Sequence, residues 1–245
     1  MNKKTWTKFV EARDEFRDEV ESLRASLPAL KALQQKLVDA RSPSYQVETS
    51  VVYNGALDEV NPDSEIKMIL VADNPGRREQ AAENRRYLVG PSGKIADKFF
   101  RENPSLGIDF YRNVIILNKT PVHTPRTVEL RALCALDKSG ALGAALEGSQ
   151  IRMARLLQKF MKALCDIPAW IIGYSEMKKG GIFDAYTREL VTMQKEGALG
   201  ETLFLYRHFS MNQFTIDLKQ RRIPDEPVQE ALRRIGADYR RKYLY

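Results

Sequence analysis

The chain has 245 residues, 43% of them apolar and 29% charged, the balance of a soluble globular protein long enough to bury a core. Two cysteines and two histidines exclude a disulfide framework and make a Cys/His zinc centre untenable. The formal net charge of +7 suits a polyanionic partner.

No stretch approaches the ~20 apolar residues a membrane span needs. The start, Met1-Asn2-Lys3-Lys4, runs straight into charged helix without a signal-peptide core, so a cytoplasmic protein with no membrane partner is expected.

Residues 4–41 read as two helices. Trp6, Phe9, Val10, Phe16, Val20 and Leu23 recur at three- and four-residue steps; Ser26 and Pro28 break the run, and Leu30, Leu33 and Leu37 resume it. We expect a helical pair packed on the core rather than a coiled-coil dimer, because Arg13 interrupts the seam and the run is short. This favours a monomer. Arg41-Ser42-Pro43-Ser44 reads as a linker, dividing the chain into an N-terminal helical extension (1–45) and a main domain (46–245).

Strands are expected at 66–73, 112–118, 169–174 and 202–208. Helices are expected at 94–101, 128–136, 150–164, 176–190 and 226–239. This alternation predicts an α/β fold: a three-layer α/β/α sandwich with a central, mainly parallel four-stranded sheet. If the strands are parallel, their carboxyl ends share one edge, where ligands of open α/β sheets bind. Asp73 and Asn74 end the first apolar run, Asn118 the second and His208 the fourth, so a carboxylate, two amides and an imidazole converge there. The third run ends in Gly173, which reads as a packing or close-approach position. Downstream of Asp73-Asn74-Pro75-Gly76, a second turn, Gly90-Pro91-Ser92-Gly93, opens a helix, a geometry suited to holding phosphate on free N–H groups. Arg77, Arg78, Arg85 and Arg86 crowd the loop between, and residues 219–245 carry eight Lys/Arg against four Asp/Glu.

On the residues alone, plainer readings stand beside these. Asp73 and Asn74 before Pro-Gly are also turn formers, Ser92-Gly93 is also a helix start, and Asn118 is also a cap. Tyr87 is also a packing ring, and His123, in Pro-Val-His-Thr-Pro, is a loop residue within reach of DNA.

Taken together, Ala72-Asp73-Asn74-Pro75-Gly76-Arg77-Arg78-Glu79, Leu88-Val89-Gly90-Pro91-Ser92-Gly93, the strand V-I-I-L-N ending in Asn118, Trp170-Ile171-Ile172-Gly173, and His208-Phe209-Ser210-Met211 resemble the ordered motifs of the uracil-DNA glycosylase superfamily, over about residues 61–214. The first motif is most similar to family 4. Members of that family bind an iron–sulfur cluster through four cysteines, which two cysteines do not supply, so neither cofactor nor metal is expected. The resemblance implies a DNA glycosylase that flips and hydrolytically excises uracil or a related deaminated base from single- or double-stranded DNA.

Cleaving an N-glycosidic bond builds positive charge on the sugar and negative charge on the departing base. The resemblance assigns Asp73 to the sugar side, with Asn74 able to position the attacking water, and His208 to the leaving carbonyl oxygen as donor. Asn118 pairs with a pyrimidine edge. Tyr87 is a stacking ring, beside Leu88 at the position of the family's uracil-stacking phenylalanine. Gly76, Ser92, Gly93 and Ser210 grip phosphates. Aspartate for the motif glutamate, leucine for phenylalanine and phenylalanine for the proline of the histidine motif leave a second expectation open: a catalytically inactive nucleic-acid- or nucleotide-binding protein on the same scaffold.

Overall fold

The computed structural model describes residues 1–245. Its helices are α1 (Lys3–Ser26), α2 (Leu30–Asp39), α3 (Pro91–Glu102), α4 (Phe110–Asn113), α5 (Glu129–Leu136), α6 (Ala141–Ala163), α7 (Asp184–Lys195), α8 (Gln213–Arg221) and α9 (Val228–Leu244). The strands are β1 (Met68–Ala72), β2 (Val114–Asn118), β3 (Ala169–Ile172) and β4 (Leu203–Tyr206), every residue of them buried. They form one sheet in the order β2-β1-β3-β4, with every neighbouring pair parallel.

Burial on both faces explains why the strands read as unbroken apolar runs rather than alternating ones. Helices flank the sheet, giving a three-layer α/β/α fold. On one face Trp170 of β3 stacks on Phe100 of α3 and Phe214 of α8, and the Tyr206 hydroxyl of β4 donates to the Leu232 carbonyl of α9. No helix is long and apolar enough to cross a membrane.

The N-terminal helices form as expected. Asn2 caps α1 through the Thr5 N–H. Phe9, Ala12, Phe16, Val20 and Leu23 then place their side chains on one buried stripe. That stripe lies against α6, where Phe9 meets Phe160 edge-on at 5.6 Å, and its rim is fastened by ion pairs from Glu15 to Lys159 and Glu19 to Arg152.

Several boundaries differ from expectation, the largest at α6, which starts at Ala141 rather than at 150. Residues 112–113, expected in the second strand, belong instead to a helical turn over 110–113, because Asp109 accepts from the Tyr111 and Arg112 N–H groups and caps it. The helix expected at 176–190 starts only at Asp184, after Gly180 and Gly181, with Gly180 in the left-handed region. Helix α8 was not foreseen; it is short and polar, and it follows Met211 and Asn212, both at positive φ.

Candidate functional site at the carboxyl edge of the sheet

Parallel pairing brings all four strand ends to one edge. Ala72 pairs with Asn118 across β1 and β2, and Ile172 with Tyr206 across β3 and β4. Asp73, Asn118 and His208 therefore share that edge, as their positions in the sequence predict.

Asp73 sits at its centre. The Lys119 ammonium donates to its Oδ1 at 2.5 Å, and the Thr127 hydroxyl reaches Oδ2 at 3.3 Å. Gly173 makes room for this carboxylate. It follows β3 directly at φ +82°, and a Cβ there would lie 2.6 Å from Asp73 Oδ1, so both its conformation and the space require glycine. Lys119 itself is fully buried. Its Nζ also donates to the Ile172 carbonyl at 2.6 Å and stands 4.9 Å from the centroid of the Phe183 ring. Burial pulls the ammonium below its usual pKa, against the pull of Asp73 in the other direction.

His208 is half-buried. Its Nδ1 accepts from the Ser210 N–H at 3.0 Å and lies 2.8 Å from the Ser210 hydroxyl. A nitrogen that accepts a backbone N–H carries no proton, so this network assigns the neutral imidazole with its proton on Nε2. Burial depresses the His208 pKa, opposed by the charge of Asp73 and assisted by that of Lys119. Ser210, expected at a phosphate, is engaged with His208 instead.

Asn118 is 4% exposed, and its amide has no hydrogen-bond partner in the protein; neither amide atom is fully enclosed, so the little surface it keeps is polar. Asn74 is committed in part: its Nδ2 donates to the Thr124 hydroxyl at 2.9 Å and the Val122 carbonyl at 3.3 Å, tying the turn after β1 to the segment after β2.

The loop from Gly76 to Gly93 departs from expectation at several residues. The N–H of Gly76, expected at a phosphate, donates to the buried Glu79 carboxyl, which lies beside the backbone of residues 88–90. The carboxyl group that occupies this turn belongs to the protein, and burial raises its pKa against the pull of the backbone N–H groups. Tyr87 is no stacking platform. It is 2% exposed, its ring faces Phe16 in the core, and its hydroxyl donates to the Val52 carbonyl at 2.5 Å. Leu88 is likewise buried, at φ +54°. Gly93 is a packing position, since a Cβ there would overlap the Leu88 carbonyl oxygen at 1.4 Å. Ser92, in the first turn of α3, keeps its hydroxyl free of protein partners. His123 is fully buried between the Pro75 carbonyl (2.8 Å) and the Tyr45 hydroxyl (2.9 Å), out of reach of any DNA.

Lys119, Thr127 and Glu79 were not foreseen. Lys119 adjoins Asn118 in sequence and reads as the first residue of a loop; only the pairing of β1, β2 and β3 turns it inward.

Around the edge, Arg77, Arg78 and Arg85 after β1, Lys94 at the start of α3, and Lys178 and Lys179 after β3 are exposed and form no ion pair with the protein. Met211, three residues after His208, is 75% exposed on a turn where it and Asn212 both have positive φ.

Comparison of the chain with protein-family models and with curated proteins yields no match.

Proposed function

We propose that the carboxyl edge is a base-excision site: a DNA glycosylase centre that takes an extruded uracil or related deaminated base. The observation that carries this reading is the set of unspent valences on one edge. Asp73 retains 14% of its side-chain surface, Asn118 has a free amide, and His208 is held as a neutral imidazole with its Nε2 proton available. In this scheme the glycosidic bond breaks with its electron pair leaving on the base, whose carbonyl oxygen accepts from His208 Nε2. Water adds to the sugar carbon beside Asp73, which compensates the sugar's positive charge, and the proton the water loses balances the one taken up by the departed base. Asn118 reads the base edge by one donor and one acceptor. The unpaired cations supply phosphate contacts, and Met211 is an exposed apolar group of the kind that wedges between base steps.

A second reading, a nucleic-acid-binding protein without excision, is favoured by one observation. A groove of about 860 Å³ along the outer edge of β2 is lined by none of Asp73, Asn118 and His208, so it is a roomy surface separate from the cluster.

Base release from end-labelled oligonucleotides separates the two. Uracil is presented unpaired, opposite guanine and opposite adenine, with hypoxanthine and xanthine alongside. Abasic sites made by the wild type and lost by at least about a hundredfold in His208→Ala support excision. Salt-dependent binding without base release supports the second reading.

A further inference from the structure

We propose that Lys119 is a positioning residue for this excision site, acting on the reaction through Asp73; the inference rests on the base-excision reading. The argument begins with what the pair does not supply. A buried ion pair rarely stabilises a fold better than apolar side chains of the same volume would, so stability alone gives this strand end little reason for a lysine. The pair is also lopsided. The ammonium is fully enclosed, while the carboxylate keeps 14% of its side-chain surface.

Every valence of the ammonium is directed into the protein, toward Asp73 Oδ1 at 2.5 Å, the Ile172 carbonyl at 2.6 Å and the Phe183 ring. It has nothing left to offer a substrate. What it does is fix its neighbour. With Oδ1 pinned by Lys119 against the bare face of Gly173 and Oδ2 touched by Thr127, the carboxylate cannot turn. Its remaining lone pairs are aimed before any substrate arrives. A carboxylate fixed in advance compensates the positive sugar and holds the attacking water without reorganising as the bond breaks. A freely turning one spends part of its time with its lone pairs aimed away from the reacting bond.

The test is a double-mutant cycle on single-turnover base release, with melting curves for each protein so that rates are compared well below every melting point. Lys119→Met should lower the rate by about a hundredfold, the cost of a misplaced group, with substrate Kd changed less than about twofold because Lys119 touches no substrate. Lys119→Arg, which keeps the charge, should recover part of the loss. In the Asp73→Asn background, Lys119→Met should cost less than about threefold, since a residue acting through Asp73 has nothing left to act on.

Equal losses in both backgrounds, or a loss that tracks the unfolded fraction, would overturn the positioning role and leave the excision reading standing. A wild type that releases no base from any substrate would overturn both.

Discussion

Two regions of the carboxyl edge are built from similar polar residues and are satisfied in opposite directions. In the loop from Gly76 to Gly93 two polar side chains bond inward: the Glu79 carboxyl takes the Gly76 N–H and the Tyr87 hydroxyl is spent on Val52. At the strand ends, Asp73, Asn118 and His208 each keep a valence that the protein does not use. A buried polar group that is fully bonded holds a shape. One that is held but incompletely bonded is available to a ligand. Glu79 and Tyr87 therefore belong to the frame, and the strand ends are the part left open to a ligand.

The largest effect that can break this distinction is at Asp73. Replacing it with alanine strands the enclosed Lys119 ammonium without a counter-ion, and we expect a loss of about 3–5 kcal/mol in urea unfolding. A change below 1 kcal/mol would mean that the two charges are not coupled as described.

Next in size is a pH effect centred on the frame. Burial lowers the His123 pKa from 6.5 to about 4, its bond to the Pro75 carbonyl opposing the shift. Between those values the unfolded chain binds a proton that the folded protein refuses. Stability is therefore full above pH 6.5 and falls as pH drops toward 4, by up to about 3 kcal/mol. His208 shifts in the same direction. Urea melts at pH 7.5 and 4.5 measure the difference, and His123→Phe should flatten most of the slope.

The smallest effects separate the regions most cleanly. Tyr87→Phe removes one buried donor and should cost about 1 kcal/mol of stability, with no effect on base release or on DNA binding. Asn118→Ala should do the reverse: a stability change under about 0.5 kcal/mol, because its amide bonds nothing in the protein, and a base-release rate lowered at least tenfold. If Tyr87→Phe impaired release and Asn118→Ala did not, the two regions would have to exchange roles.

The sheet was legible because its strands are apolar runs that stop at a polar residue, and parallel pairing then fixes where those stops meet. Asp73, Asn118 and His208 followed from that alone. What the sequence concealed is direction. Nothing local marks Glu79, three residues after Pro-Gly inside an arginine-rich loop, as buried; Tyr87 read as either a packing or a stacking ring, and the packing reading holds. Lys119 was hidden for the same reason. Nothing local distinguishes a lysine leaving a strand for solvent from one folded back beneath its neighbours; that choice is made by Asp73 and Ile172, 46 and 53 residues away.

The docking of α1 on α6 has a consequence for how the chain is made. Glu15 and its partner Lys159 are 144 residues apart, so the apolar stripe of the first helix has no surface to cover it until α6 is synthesised. At about 5–20 residues per second, that stripe waits on the order of ten seconds on the ribosome. Over that interval Phe9, Phe16 and Val20, buried in the finished protein, stay uncovered.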